Sequence, residues 1–321
     1  MFSPFLSSML STITDNIFAV LSFGLRFTVL RVVFFSATFF GAFCFCFFLD
    51  CQVLLIFKIQ YYTKVIKITL DYICTMFSDA QWFFLNETDS TNNVIQQKLA
   101  QGHLPEGSVV VADYQSQGKG QRGSVWQSKP GENLLFSMVL YPTFLKPDSL
   151  FRLSKALALA ATDFASNHCN GVQIKWPNDI YIDGKKTGGI LLENTFRGSD
   201  IHASVAGLGI NLNQDHFDEL QSTATSLKIA SGKQMNVREC AAELFTCLTH
   251  RYAQLRKGDF EILDHEYHSK LYRLNMKTQF KSNNQIFSGT IKGVNEQGLL
   301  MIDNGSEILN FEIKEVSFLN P

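Results

Sequence analysis

The stretch Lys175-Trp176-Pro177-Asn178-Asp179-Ile180-Tyr181-Ile182-Asp183-Gly184-Lys185-Lys186-Thr187-Gly188-Gly189-Ile190-Leu191-Leu192-Glu193 decides how the rest of the chain is read. Ile180, Tyr181 and Ile182 favour an extended backbone, and Asp183-Gly184 is a dipeptide that two-residue hairpin turns prefer. After two glycines, Ile190 to Leu192 read as the return strand. Lys175 and Trp176 stand at the entrance, with Pro177 fixing the backbone behind them. A sheet surface with a cation at its mouth, and glycines where a ligand can approach, is a candidate active-site floor. An ordinary hairpin with a snorkelling lysine would carry the same residues. The flanking sequence has to choose between the two.

Working towards the N-terminus, Ser149 to His168 reads as a helix with apolar residues at helical spacing around an alanine-rich middle. Leu134 to Tyr141 is a strand apolar enough to be central. Before it runs Gln115-Ser116-Gln117-Gly118-Lys119-Gly120-Gln121-Arg122-Gly123-Ser124-Val125-Trp126, a polar loop too long for a simple turn. Ser108 to Asp113 and Trp82 to Leu85 read as strands. Between them a helix runs through Leu99, with candidate N-caps in Thr88-Asp89-Ser90-Thr91-Asn92 and a stop at Gly102.

Towards the C-terminus, a strand from Ile201 to Val205 leads into Gly207-Leu208-Gly209-Ile210-Asn211-Leu212-Asn213. Asn236 caps a long helix to about Lys257, and a shorter one covers Phe260 to Tyr272. From Met276 the pattern changes to short strands, split by Asn283-Asn284, Asn295 to Gly298 and Asp303-Asn304-Gly305. That spacing predicts a small β-barrel of about 45 residues as a separate C-terminal domain.

The chain has 321 residues, with 28 basic against 29 acidic side chains. Residues 76–321 alone carry 23 basic and 26 acidic residues, a net charge of −3. That is no electrostatic footprint for duplex DNA, so no nucleic-acid partner is expected. The seven cysteines form no C-x-x-C pair. A reducing compartment, the cytoplasm, is therefore the expectation.

Residues 1–75 differ in kind. They hold 14 of the 29 phenylalanines, no glutamate, and an uncharged run from Val32 to Leu49, just long enough to be a candidate membrane span. Three readings stay open: a start placed too early, with Met76 the true initiator; a membrane anchor; or an unusual folded extension. The basic residues on both sides of the run give no consistent orientation.

The chemistry gathers in few places. Glycines at 118, 120 and 123 let backbone N–H groups turn towards a ligand, and Lys119 and Arg122 add positive charge, which suits a phosphate or carboxylate. A strand follows the loop, so it is neither a Walker A loop nor a Rossmann fingerprint. Lys175 is a further cation. Gly207 and Gly209 are a further close approach, with Asn211 beside them. Ser90, Thr91, Asn92 and Gln115 offer neutral donors and acceptors, although capping also accounts for Ser90 and Asn92. The seven histidines are scattered and no metal ligand set is legible. This is chemistry by positioning and cations rather than by a protein nucleophile.

Four motifs in order carry a resemblance: Thr88-Asp89-Ser90-Thr91-Asn92; Gly118-Lys119-Gly120-Gln121-Arg122-Gly123 with Trp126; Lys175-Trp176-Pro177-Asn178-Asp179 with Gly189-Ile190-Leu191; and Gly207-Leu208-Gly209-Ile210-Asn211. From about Trp82 to its end the chain resembles biotin–protein ligases, in the short form without an N-terminal DNA-binding domain. The resemblance implies an α+β catalytic domain of the class II aminoacyl-tRNA-synthetase-like, biotin–lipoate ligase type over residues 76–274. It implies an SH3-like β-barrel over 275–321.

It further implies that biotin is activated by Mg-ATP to biotinyl-5′-AMP and passed to a lysine of a biotin carboxyl carrier domain, as in acetyl-CoA carboxylase. The implied biotin set is Ser90, Thr91, Asn92, Gln115, Lys119, Gly120, Gln121, Lys175 and Gly189, with Lys175 catalytic. The implied ATP set is Lys119, Arg122, Trp126, Gly207, Gly209 and Asn211. A homodimer is left open. The family's loop usually reads Gly-Arg-Gly-Arg, and here Lys119 and Gln121 replace both arginines, keeping one charge and losing the other. The competing readings are a lipoate or octanoate ligase or transferase of the same fold, and a membrane-tethered ligand-binding protein without catalysis.

Overall fold

Strand and helix signals alternate from Trp82 onward, and the computed structural model turns them into two sheets and five helices. It describes residues 76–319, with the side chain of Arg122 left aside. The three readings of residues 1–75 lie outside the described residues. Among the described residues no helix is long and apolar enough to cross a membrane.

The first sheet has seven strands: β1 (Trp82–Thr88), β2 (Val109–Gln115), β3 (Asn133–Leu140), β4 (Val172–Lys175), β5 (Asp179–Ile182), β6 (Lys185–Arg197) and β7 (Asp200–Asn211). Their spatial order is β1-β2-β3-β7-β6-β5-β4. Only β1 and β2 pair in parallel; the other neighbours are antiparallel. Helix α1 (Thr91–Gln101) crosses from β1 to β2, α2 (Phe151–Ser166) joins β3 to β4, and the short α3 (Leu227–Ser231), α4 (Val237–Lys257) and α5 (Phe260–Ser269) follow β7. Asn236 caps α4 as expected, its side-chain oxygen accepting from the N–H groups of Arg238 and Glu239.

Period-two alternation explains which helix covers which face. Leu134, Phe136, Met138 and Leu140 of β3, with Ala206, Leu208 and Ile210 of β7, join the main core with α2 and α4. The opposite side packs Val110, Val139 and Val205 against Ile95 of α1. Helix α1 covers only part of that second face. Among the described residues a cavity lies over the rest, where Gly189, Gly207 and Gly209 are.

The sequence readings of β6 and β7 need correction. Both run unbroken through their glycines, so Gly188, Gly189, Gly207 and Gly209 lie inside paired strands rather than before or after them. Neighbouring strands on both sides supply the hydrogen bonds that make glycine tolerable there. The hairpin reading also missed β4, which pairs Lys175 with Asp179 across the cis peptide bond Trp176–Pro177.

The second sheet is small and antiparallel: β8 (Lys277–Ser282), β9 (Gln285–Val294), β10 (Leu300–Asp303), β11 (Ile308–Phe311) and β12 (Ser317–Leu319), in the order β11-β10-β9-β8-β12. Its turns fall at Asn283-Asn284, Asn295 to Gly298 and Asn304 to Ser306. Both asparagines of the first turn have positive φ, the conformation that such a two-residue turn requires. The C-terminal sheet is consistent with an SH3-like domain. Trp176 fastens the first sheet to it, donating its indole N–H to the Gly298 carbonyl at 2.9 Å.

Candidate active site

The open part of the sheet face is floored by two rows of side chains. Leu135, Gly209 and Gly189 stand in register across β3, β7 and β6, and Ser137, Gly207 and Leu191 form the next row. The glycines bring the floor down to bare backbone. Other groups then lie directly on it: the Asn92 amide on Gly207 and the Trp126 indole on Gly209.

A cavity of about 540 Å³ opens above this floor. Ser90, Thr91, Asn92, Gln115, Lys119, Gly120, Gln121, Trp126, Lys175, Gly189, Gly207 and Gly209 all line it. Of the implied biotin and ATP sets, Asn211 is the one described side chain that lies elsewhere. Asn211 is buried, donates its side-chain N–H to the Thr225 carbonyl at 3.0 Å, and lines a neighbouring cavity of about 330 Å³. The side chain of Arg122 is not described.

The neutral end of the site is a hydrogen-bond chain. Gln115 Oε1 accepts from the Thr91 N–H at 2.7 Å and from the Thr91 hydroxyl at 2.9 Å. Ser137 Oγ lies 2.6 Å from both Thr91 Oγ1 and Asn92 Oδ1. Asn92 Nδ2 donates to Glu193 at 2.8 Å, and Gln96 reaches the same oxygen at 3.0 Å. With its oxygen held by Thr91, the Gln115 amide keeps its N–H groups for other partners. Ser90 occupies the N-cap position of α1, but its side chain makes no cap bond. Capping therefore does not explain the hydroxyl there.

The loop between β2 and β3 is drawn tight by its own backbone. Gly120 N–H donates to Ser124 O at 2.7 Å, and Trp126 N–H to Gly118 O at 2.9 Å. A side chain at Gly118 would meet the Trp126 carbonyl at 2.4 Å, so the loop closes only with glycine there. Lys119 leans back to α1, donating to Asn93 Oδ1 at 2.6 Å.

Lys175 lies at the end of β4. Its ammonium donates to the Tyr181 hydroxyl at 2.9 Å and stands 5.1 Å from the centre of the Phe318 ring. Burial lowers its pKa below the ordinary lysine value of 10.5, while the charge of Asp179 opposes that shift. Burial likewise raises the Tyr181 phenol, so the hydroxyl stays neutral as an acceptor. Among the described residues the charged ones lining the cavity are Lys119, Lys175, Lys186 and Lys314 against Asp179, a positive balance suited to an anionic ligand.

Sequence reasoning missed several of these groups. Ser137 and Glu193 sit at unremarkable strand positions, and only register shows that they meet α1. Lys186 lines the cavity and pairs with Asp179 at 2.6 Å. A bulge, where Ile180 opposes Gly188 and Tyr181 opposes Lys186, shifts the alternation of β6 there. Ile313, Lys314, Val316, Ser317 and Phe318 close the cavity from the C-terminal sheet, a long-range contact no local pattern announces. Among the described residues no group of three or more His, Cys, Asp or Glu is placed to hold a metal ion.

Among the described residues the first sheet is mainly antiparallel with helices on both faces, and lysines line the cavity over its bare-backbone floor, a layout of the α+β class. Comparison with known proteins gives the particular family. Residues 84–211 match the biotin/lipoate A/B protein ligase family. The bifunctional ligase/repressor BirA of Bacillus spizizenii is 31% identical over 230 residues, 70% of this chain and 70% of that protein. A biotin–[acetyl-CoA-carboxylase] ligase of Paracoccus denitrificans is 29% identical over 225 residues, 68% of this chain and 92% of that one. The solved biotin protein ligase of Aquifex aeolicus in complex with biotin and ATP is 26% identical with a TM-score of 0.63, covering 75% of this chain and 99% of its own. The chain belongs to the biotin/lipoate A/B protein ligase family.

Proposed function

We propose that this chain is a biotin–protein ligase, which activates biotin with Mg-ATP and transfers it to a lysine of a biotin carboxyl carrier domain. The observation that carries this reading is the single cavity lined by Ser90, Thr91, Asn92, Gln115, Lys119, Gly120, Gln121, Lys175 and Gly189. Its volume of about 540 Å³ lies in the range of small-molecule sites. The chain Gln115–Thr91–Ser137–Asn92 offers a ureido ring the fixed donors and acceptors it needs.

The adjoining cavity takes the nucleotide. Trp126 Nε1 and Ser128 Oγ are buried beside it without hydrogen-bond partners, which fits a polar ligand. Trp126 and Asn211 belong to that side, and Gly207 and Gly209 let the ligand and its neighbours approach the floor. Magnesium enters with the nucleotide as part of that substrate.

In the first step a biotin carboxylate oxygen forms a bond to the α-phosphorus. The bond from that phosphorus to its bridging oxygen breaks, and pyrophosphate leaves with the electron pair. Two anions must touch for this, and Lys175 and Lys119 offset their repulsion. In the second step the carrier lysine amine attacks the acyl carbon, AMP leaves with its oxygen, and the amine's proton goes to solvent. Residues 76–274 form the catalytic domain in this reading, residues 275–321 the C-terminal one. Cytoplasmic work on apo-carrier follows from where both co-substrates are found.

The test is incubation of the protein with biotin, Mg-ATP and a carrier domain. A biotin mass increment on a carrier lysine is expected. Modification by lipoate or octanoate in place of biotin would favour the related transferases instead.

A further inference from the structure

Lys175 belongs to β4 of the first sheet, but part of its enclosure comes from the second. Its ammonium stands over the ring of Phe318, 5.1 Å from the centre, within the range where an aromatic face attracts a cation. The Tyr181 hydroxyl accepts from the same ammonium at 2.9 Å. Among the described residues, the C-terminal sheet and the turn before its last strand bring Ile313, Lys314, Val316, Ser317 and Phe318 to the cavity. Phe318 is the aromatic one.

The ring is held from behind. Phe318 faces Phe280 across β12 and β8, with ring centres 5.3 Å apart, and Phe280 is fully buried. Tyr272 lies 6.3 Å from Phe318 and 5.3 Å from Tyr181. A row of four rings thus runs from β5 into the core of the second sheet. Among the described residues, β12 pairs with β8 alone, through three residue pairs. The ring therefore sits over Lys175 only while the C-terminal sheet is in place.

We propose that Phe318 is a positioning residue for Lys175, its ring shielding the ammonium from water and holding it against the Tyr181 hydroxyl. The C-terminal sheet thereby takes part in adenylate formation through one side chain. The inference rests on the ligase reading of the cavity. A cation already stripped of water needs no reorganisation when negative charge develops beside it. Burial is the largest influence on the ammonium and lowers its pKa; Asp179 on β5 raises it, and Lys186 on β6 and Arg273 beyond α5 lower it further. Lys119 and Lys314 line the same cavity. Phe318 contributes to the burial. Alanine in its place admits water, so Lys175 then titrates closer to the ordinary 10.5. Leucine keeps an apolar cover and removes the ring face, so it brings no such rise.

The experiment uses the full chain as wild type, Phe318→Ala, Phe318→Leu and Phe318→Tyr, with Phe318→Ala also combined with Lys175→Met. Circular dichroism checks folding. Competitive acetylation across pH, read by peptide mass mapping, follows the titration of Lys175 without substrates, and biotin-dependent pyrophosphate release is measured beside it. In Phe318→Ala the Lys175 titration is expected to move up in pH and kcat to fall about tenfold. Phe318→Leu is expected to lose rate without that rise, and Phe318→Tyr, which keeps the ring face, to stay close to wild type. In the Lys175→Met background, Phe318→Ala is expected to cost less than about twofold, because the ring acts through the ammonium. An unmoved Lys175 titration in folded Phe318→Ala overturns the proposal. So does an equal loss of rate with and without Lys175, which would mean that the ring acts on the fold or on a substrate directly. Wild-type protein that releases no pyrophosphate with biotin defeats the ligase reading instead, while the titration still decides whether Phe318 shields Lys175.

Discussion

A β-carbon on Gly207 would stand 2.4 Å from Oδ1 of Asn92, closer than any real contact allows. The first turn of α1 therefore rests directly on the backbone of β7. Asn92 is 2% exposed and fixed by Ser137 and Glu193, so it cannot move aside. Gly207→Ala should cost about 1–3 kcal/mol as an overpacked contact, part of it recovered by displacing α1. Because Thr91 precedes Asn92, the displacement carries over to Gln115. Calorimetry should show biotin affinity about tenfold weaker, with the cooperative melt retained. An unchanged affinity would remove Asn92 from the set that shapes the site.

Lys175 offers a test with a sign. Its ammonium is the useful form, so activity should fall as pH rises through its folded pKa, which burial places below 10.5. A depressed value also means that the charged lysine costs folding stability at neutral pH, a cost that lifts as pH rises towards 10.5. Lys175→Met should therefore lose adenylate formation by about 10²–10³-fold while its melting temperature at pH 7 holds or rises. A variant that melts well below wild type would assign the lysine a structural role instead.

Much of this was legible in local sequence, for reasons that residues make plain. The caps and turns spoke clearly: Asn236 before α4, Asp183-Gly184 between β5 and β6, Asn283-Asn284 between β8 and β9. Local chemistry decides such features, so local reading finds them. The glycines misled, because Gly188-Gly189 and Gly207-Leu208-Gly209 look like breaks. They are strand residues whose neighbours happen to lie on bare backbone, a fact set by Asn92 and Trp126 from far along the chain. Lys186, Ser137 and the segment Ile313 to Phe318 reach the site through a bulge, a register and a second sheet. None of these has a one-dimensional signature.

The described cysteines should be chemically quiet. Burial pushes the thiols of Cys240 and Cys247 up to about 12, with nearby carboxylates adding to the shift, and raises that of Cys169. The thiolate is the reactive form, so at pH 8 only a minute fraction is available. Brief alkylation of native protein with iodoacetamide, followed by peptide mass mapping, should leave Cys240 and Cys247 unmodified. Denatured protein should label both. Rapid native labelling of either would show that α4 opens far more readily than its packing implies.

Trp176 ties the catalytic strand pair to the second sheet through the Gly298 carbonyl, and the ring of Phe151 presses on that same glycine. Gly298 has φ +88°, where a side chain would be strained in any case. Trp176→Phe keeps most of the apolar contact but strands the carbonyl, at a cost of about 1–3 kcal/mol. Hydrogen exchange should then quicken in the turn Asn295 to Gly298 and in β10 before it does in β3. Uniform exchange across both sheets would mean that the contact does not hold them together.

Gln121 is where this chain departs from the resemblance in charge. It lines the large cavity at the start of the short turn Gln121–Gly123, with its carbonyl accepting from Ser124 Oγ at 2.9 Å. Its backbone is thus fixed while its amide is free to meet a ligand. A neutral hydrogen bond contributes about 0.5–1.5 kcal/mol, and one to a charged group about 1.5–3. The family's usual arginine at this position would therefore hold the adenylate phosphate more strongly than glutamine does. Gln121→Arg should slow dissociation of preformed biotinyl-adenylate by about tenfold, the equivalent of roughly 1.4 kcal/mol. The measurement is the off-rate in the absence of carrier, beside Gln121→Ala as the control. Equal off-rates for wild type and Gln121→Arg would mean that another group already neutralises the phosphate, and that the loop tolerates glutamine at no loss of retention.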